Sequence, residues 1–354
     1  MDMHGTPEAY FASKAQLFMQ VPAGGHCILN AADDNSKLLA EAIPEHAQLH
    51  YYDAGSANAQ AKLSARSVRS TRHGLHIELA ESELADALGG TLDMPILGDV
   101  HAANALAAAL STHCAGYSAK AITEGLAGFH GVRGRFEVVG TEPLTVVDYA
   151  HTPDGLRTTL ITARDLVQEE GRLILVFGCG GERDRGKRPQ MASVAHAMTD
   201  AVMITNDNPR REDPLVIAEE IRSGARGPGA SWSLCLDRGQ AIRDVIIAAT
   251  PNDVIIIAGK GHEQTQEIGG ETIPLCDVKL AKAALQKASS GPLTGMPSSS
   301  RGQSANRGAL ANSSGPLSAS HAMSYWSTSP SLSTVVMTSG LDVPWSMARN
   351  WWRS

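Results

Sequence analysis

The stretch from Gly178 to Pro189 reads GCGGERDRGKRP, and from Gly181 to Lys187 its glycine and lysine positions match a nucleotide-binding P-loop up to the last letter. A P-loop needs Ser or Thr after the lysine, because that hydroxyl holds the magnesium of the bound nucleotide. Arg188 stands there instead. A helix N-terminus could still cradle an anion with its amides, so the stretch reads either as a plain strand-to-helix turn or as an acid-binding loop. Three further loops carry similarly polar letters, the last with two glycines: DYAHTPD from Asp148, NDNPRRED from Asn206 and GKGHEQ from Gly259. Lys14 poses a separate question. Helical spacing sets it beside Tyr10, Phe11 and Phe18, where a lysine ordinarily snorkels its ammonium to the rim of an apolar stripe.

Each of these four loops follows an apolar, β-branched run and leads into a helical pattern. LTVVDYA precedes PDGLRTTLITARDLVQ, RLILVFG precedes QMASVAHAM, DAVMITND precedes DPLVIAEEIRS, and NDVIIIAG precedes DVKLAKAALQKA. This alternation over residues 136–288 predicts an α/β domain with a doubly wound parallel sheet, whose ligands bind at the carboxyl ends of the strands. The four loops therefore fall on one sheet edge and make a site. Residues 1–135 are less regular: GTPEAYFASKAQLF reads as a helix capped by Thr6 with Pro7 in its first turn, HCILNAADDNSKLLAEAI as strand, acidic turn and helix, and DVHAANALAAALSTHCAG as a small-residue helix. They are expected to be part of an α/β domain. From residue 289 to 354 the chain is rich in Ser, Gly and Pro without period, and a disordered tail is expected. Its Trp345, Trp351 and Trp352 fit either a docking motif or translated non-native sequence.

Composition narrows the function classes. The 43% hydrophobic content supports real cores, and a formal charge of -7 gives no reason to expect nucleic acid or an anionic membrane as partner. Five scattered cysteines without CxxC spacing suggest neither a disulfide framework nor a zinc site. Together with the absence of a signal-like start or an apolar run of about 18 residues, this predicts a soluble, cytoplasmic protein.

GRFEVV, VVDYAHTPDGL, FGCGGERDRGKRP, TNDNPR and AGKGHE, in this order and separation, closely resemble the Mur ligases of peptidoglycan synthesis. The resemblance runs from Met1 to about Ala288 and leaves the tail uncovered. It implies a partial central ATPase domain over residues 1–135, with the P-loop and a UDP-binding domain lying before the chain begins, and a Rossmann-like amino-acid-binding domain over 136–288. It further implies an ATP-dependent, magnesium-dependent amide ligase, acting as a monomer, that joins meso-diaminopimelate to UDP-N-acetylmuramoyl-L-Ala-D-Glu. By this resemblance the GCGGERDRGK loop is an amino-acid loop.

The resemblance also implies roles for individual residues. Lys14 matches a lysine that is carbamylated and binds magnesium. Asn104 matches an asparagine that reads adenine, although His101 replaces an earlier family asparagine. Arg135 and Asp148 match residues that approach ATP from the second domain; without the resemblance they would form a hinge salt bridge. His151 either lines the same cleft or caps the following helix. Meso-diaminopimelate carries two carboxylates and two ammoniums, so its pocket needs both arginine forks and acceptors. Arg183, Asn208, Arg210 and Glu263 supply that mix, and Gly259 allows close backbone approach. Arg210 in DNPR is the residue that separates diaminopimelate enzymes from lysine-adding relatives. The alternative is a non-catalytic binding module that keeps only the amino-acid domain. A sister ligase such as folylpolyglutamate synthase is disfavoured by DNPR standing beside GKGHE.

Overall fold

The computed structural model describes residues 7–55, 57–289 and 334–336. The first part of the chain holds α1 (Pro7–Met19), β1 (His26–Asn30), α2 (Asn35–Glu41), β2 (Gln48–Asp53), β3 (Leu63–Thr71), β4 (Gly74–Leu79), α3 (Glu83–Ala87), β5 (Thr91–Met94), α4 (Val100–Cys114) and α5 (Ala119–Ala127). Strands β1, β2 and β3 run parallel, whereas β3, β4 and β5 form an antiparallel meander. The expectation of an α/β unit holds, and the meander is an addition to it. Ala102, Ala105, Leu106, Ala109 and Leu110 of α4 are buried against this sheet, because small side chains let the helix axis come close. The opposite face packs Ala15 and Phe18 of α1 with Cys27, Leu29 and Leu39.

The second part holds β6 (Glu137–Thr141), β7 (Leu144–Asp148), α6 (Pro153–Arg164), β8 (Leu173–Phe177), α7 (Lys187–Met198), β9 (Ala201–Ile204), α8 (Pro214–Arg222), β10 (Ser231–Leu234), α9 (Arg238–Ala248), β11 (Val254–Ala258), β12 (Thr265–Ile268), β13 (Glu271–Pro274) and α10 (Asp277–Ser289). Its main sheet has the order β10-β9-β8-β11-β7-β6, parallel throughout except at β6. Helices α6, α7 and α8 cover one face and α9 and α10 the other, so the sheet is doubly wound. Both faces being covered explains why LILVF and VIIIA are buried at every position. Helix α6 starts where its caps dictate: Thr152 accepts the Gly155 N–H, Pro153 occupies the first turn, and Asp154 complements the dipole. The expected tail lies outside the described residues, apart from Ser289 and a short strand β14 (Thr334–Val336) that pairs in parallel with β1.

Two sets of contacts join the sheets. Arg72, in the β3–β4 turn, donates from its guanidinium to three carbonyl oxygens of the second part: Leu166 at 3.1 Å, Asn252 at 3.3 Å and Thr141 at 3.4 Å. The connecting segment then crosses the GKGHEQ loop backbone to backbone. A Cβ on Gly134 would lie 2.1 Å from His262 N, and one on Gly261 would lie 2.7 Å from Gly134 O. Both glycines have positive φ, so neither position accepts a side chain.

Candidate functional site

Three adjacent strand ends build the site. Arg183 lies after β8, Asn208 and Arg210 after β9, and Glu263 after β11, and these strands are neighbours in the sheet. Asn208 is buried and connects the loops. Its Oδ1 accepts from Lys260 Nζ at 2.9 Å and from the Glu267 N–H at 3.0 Å, and its Nδ2 donates to Glu263 Oε2 at 3.0 Å. Lys260, fully buried, also reaches Glu263 Oε2 at 2.8 Å. Burial alone would raise the Glu263 carboxyl, but the Lys260 ammonium and the Asn208 amide outweigh it and hold the group below the usual carboxylate range. Among the described residues nothing engages Glu263 Oε1, which leaves it for a ligand cation.

Arg210 sits in the left-handed region at φ 55°, a conformation costing a non-glycine residue about 1 kcal/mol. The β12–β13 hairpin holds it there. Its N–H donates to Glu267 O at 3.0 Å and its carbonyl accepts from the Gly269 N–H at 2.6 Å. The guanidinium gives Nη1 to Gly181 O at 2.7 Å and Nε to Glu267 Oε2 at 3.0 Å, so Nη2 remains without an acceptor among the described residues. It borders an open cavity of about 410 Å³ shared with Glu182, Arg211, Glu267 and Thr272. Arg183 is exposed, its Nη1 on Glu182 O, with its Cγ 3.6 Å from where a Cβ on Gly180 would be and Arg210 Nη1 3.2 Å from the same point. The close approach at Gly259 is made by the protein itself: a Cβ there would meet Asp207 Oδ2 at 2.6 Å. Burial raises the Asp207 carboxyl although Arg238 and Lys260 oppose the shift.

The GCGGERDRGKRP loop resolves as a structural turn on this pocket. Lys187 starts α7 and gives its Nζ to His151 O at 2.9 Å. Arg188, in the place of the magnesium-holding hydroxyl, is fully buried and paired with Glu212 at 2.9 Å and Glu220 at 2.6 Å. A Cβ on Gly181 would strike Pro209 O at 2.0 Å, so this loop and the DNPR loop are pressed together.

The other expected residues lie along the junction of the two sheets. A cavity of about 310 Å³ is lined by Leu97, His101, Gly131, Arg135 and Phe136, among others. Asn104 follows His101 by three residues in the second turn of α4, half-buried and past the cap position, which Asp99 occupies. Burial lowers the His101 pKa, with Asp148 pulling the other way. Asp148 and Arg135 do not pair. Arg135 stacks over the Tyr149 ring, its guanidinium carbon 4.7 Å from the centroid, and Asp148 accepts from the Phe136 N–H at 2.7 Å, the Thr159 hydroxyl at 2.8 Å and the Ala150 N–H at 3.0 Å. The carboxylate thus pins the connecting segment to the end of β7. Helix α6 is capped by Thr152, so His151 is not its cap; its Nδ1 lies 3.0 Å from Tyr149 O. Lys14 is half-buried on α1, next to buried Ala15 and four residues before buried Phe18.

Sequence reasoning missed Lys260, Asp207 and the hairpin. The hairpin had a signal: TQEI and ETIP flank a Gly-Gly pair, a two-residue turn preference that needs positive φ at both positions, and both glycines show it. Lysine between two glycines reads as a solvated loop, so its burial left no trace in the letters.

The second part is a doubly wound α/β domain with oppositely charged side chains gathered at one sheet edge, and it joins the first α/β part along the cleft that His101 and Arg135 line. The Mur ligase middle domain matches residues 1–112 and the Mur ligase glutamate ligase domain matches residues 134–261, and the chain belongs to the Mur ligase family. It is 40% identical over 298 residues to the UDP-N-acetylmuramoyl-L-alanyl-D-glutamate–2,6-diaminopimelate ligase of Thermosynechococcus vestitus, covering 83% of this chain and 58% of that one. It is 39% identical over 288 residues to the enzyme of the same name from Alkalilimnicola ehrlichii, covering 80% and 56%. A solved structure of a ligase of that name superposes with a TM-score of 0.55 at 32% identity, over 80% of this chain and 57% of the other. The chain therefore spans little more than half the length of the curated relatives it matches.

Proposed function

We propose that the chain carries the amino-acid-binding part, and a share of the nucleotide-binding part, of an ATP-dependent ligase that joins meso-2,6-diaminopimelate to UDP-N-acetylmuramoyl-L-Ala-D-Glu. The observation that carries this reading is that Asn208 touches both charged residues, its Nδ2 donating to Glu263 Oε2 at 3.0 Å and its carbonyl oxygen lying 3.5 Å from Arg210 Nη1. One end presents a guanidinium N–H to a carboxylate, and the other presents a carboxylate oxygen to an ammonium. Asn208, whose Oδ1 is already taken by its own loops, acts chiefly by orienting Glu263, while Arg183 reaches the pocket from the solvent side.

ATP, when bound, supplies the phosphoryl group that activates the D-glutamyl γ-carboxylate for amide formation. His101, Asn104 and Arg135 line or flank the cleft that suits it: a half-buried amide for adenine and a guanidinium for phosphate. Asp148, committed to three donors, orients the connecting segment. Lys14 would hold magnesium as its carbamate, on a helix whose neighbouring Ala15 and Phe18 are buried. The chain's own contribution to the reaction is to hold the amino acid with its attacking nitrogen turned toward the cleft, a proximity effect. The same reading places the enzyme in the cytoplasm as a monomer; among the described residues no helix is long and apolar enough to cross a membrane.

The test is calorimetric titration of the chain with meso-diaminopimelate and with L-lysine. A charge-assisted contact contributes roughly 1.5 to 3 kcal/mol, about ten- to a hundredfold in affinity. Arg210→Ala is expected to lose that much affinity for diaminopimelate and almost none for lysine, which lacks the distal carboxylate. Equal losses for both ligands would reduce Arg210 to a loop clamp and remove the assignment of diaminopimelate.

A further inference from the structure

Away from the loops of the proposed ligase site, three side chains with metal-binding atoms converge near the start of the first sheet. His26 opens β1, His50 lies on β2, and Cys114 closes α4. His26 Nδ1 and His50 Nε2 are 2.9 Å apart, and the rings stack with centroids at 5.2 Å and 29° between their planes. With Cys114 Sγ included, the donor atoms all lie within 4.8 Å of one another. We propose that His26, His50 and Cys114 form a site for a borderline transition-metal ion, zinc(II) foremost, that ties β1, β2 and the end of α4 together.

The backbone builds this cluster. His26 pairs with Gln48 and Ile28 with His50, so the two histidines are diagonal neighbours on one face of adjacent strands. A tetrahedral zinc ion takes nitrogen at about 2.0 to 2.1 Å and sulfur at about 2.3 Å, which asks for donor atoms roughly 3.3 to 3.8 Å apart. To reach that spacing the two nitrogens, 2.9 Å apart, would open by a few tenths of an ångström, and the sulfur, within 4.8 Å of both, would close by at most about one. Two imidazoles and a thiolate select zinc, cobalt or copper(I) over magnesium and calcium, which take oxygen donors. A water completes the fourth position, as in open zinc sites. The three side chains are all half-buried, so an ion can enter from solvent.

The protonation states suit metal entry. Burial, with the Lys62 ammonium in support, lowers both imidazoles, His50 to about 4, and the neutral ring is the ligating form. Burial raises the Cys114 thiol while Lys62 opposes the shift. The balance of the binding step is then simple. The proton held between the two rings passes to the outer nitrogen of its own ring, and the Cys114 thiol releases its proton to solvent as the sulfur–metal bond forms. Lys62 and His113 are the positive or titrating neighbours that oppose a divalent ion; Lys62 is exposed, where solvent and salt screen it. The cluster also stands apart from the nucleotide cleft. His101 is in the first turn of α4 and Cys114 is its last residue, about 20 Å along the helix axis.

Cobalt(II) titration of the full chain after chelator treatment tests the proposal. The expected result is saturable binding of about one ion per chain, with a thiolate-to-cobalt charge-transfer band, tetrahedral ligand-field bands, and displacement of both by zinc. Cys114→Ser removes the charge-transfer band, whereas Cys235→Ser, at another half-buried cysteine, keeps it. His26→Gln weakens binding independently of sulfur chemistry, and Lys62→Gln tightens it. Calorimetry in two buffers of different ionisation enthalpy reads about one proton released per ion. A circular dichroism spectrum equal to wild type confirms that each variant is folded. Absence of saturable cobalt spectra in the folded wild type, or a charge-transfer band that survives Cys114→Ser, overturns the site.

Discussion

Removing the Lys260 ammonium would leave Glu263 Oε2 with only the Asn208 amide, and Asn208 Oδ1 with only the Glu267 N–H. Breaking one partner out of a buried pair costs about 3 to 5 kcal/mol; Glu263 is one-third exposed, at 33%, so Lys260→Met is expected near the lower end, measured by chemical denaturation. The variant also changes the acid limb of ligand binding. In wild type the Glu263 carboxyl is held below its ordinary range, so its charge, and the hold on a ligand ammonium, survives until the pH falls through that depressed value. Without the Lys260 cation, burial governs the group and raises it. Affinity for diaminopimelate should then fall away at a higher pH than in wild type, as titrations from neutral pH downward would show. An unchanged acid limb would mean that Lys260 serves stability alone.

Helices α7 and α8 are fastened by the same kind of chemistry. Arg188 at the start of α7 reaches Glu212 and Glu220, and Arg185 pairs with Glu220 as well. Glu212 is drawn from 4.5 down to about 2, first by its bond to Arg188 and next by the Glu182 N–H. A depressed carboxyl contributes stability above its unfolded pKa and loses it as pH falls through the folded one, so this junction should weaken between about pH 4.5 and 2. Glu212→Gln is expected to flatten that part of the stability curve, followed by thermal unfolding across the acid range. Arg188→Met, which leaves Glu212 with the Glu182 N–H and Glu220 with Arg185 alone, should cost about 3 kcal/mol at neutral pH, the lower end for a broken buried pair.

Strands β7, β8, β9 and β11 were legible because each is a short apolar run ended by a polar loop. Edge strand β10, spelled SWSL, is mostly exposed and lacks the alternation that marks a half-buried strand. Helix α9 carries a helical signal in Ala241, Ile242, Val245 and Ile246, but the β-branched Val-Ile-Ile run inside it competes as a strand. The polar letters of the pocket were readable as a group at one sheet edge. Which of them meet a ligand and which meet each other was not, because the partners of Asn208 and Asp148 include backbone amides whose position depends on the path of the whole chain.

At the scale of the molecule, Arg72 is a clamp that no local pattern announces, since its acceptors are 69 to 180 residues away in the chain. Hydrogen bonds from a charged donor contribute about 1.5 to 3 kcal/mol when sheltered; two of the three here are exposed and long, so about 1 to 2 kcal/mol is expected for the set. Arg72→Ala should broaden the distribution of angles between the two sheets, seen by single-molecule energy transfer between dyes placed on each, while leaving the melting of either domain nearly unchanged. An unbroadened distribution would assign the hinge wholly to the glycine crossing. That crossing has its own consequence. Gly134 of the connecting segment and Gly261 of the loop bearing Lys260 and Glu263 touch without side chains between them, so the pocket and the hinge share one piece of backbone. Linkage between two such sites is reciprocal: whatever preference a bound amino acid has for one hinge angle, an imposed angle returns as an equal change in its affinity. A molecule wedged between the two sheets, far from Arg210 and touching none of the pocket, would raise or lower the pocket's affinity without resembling anything that binds in it.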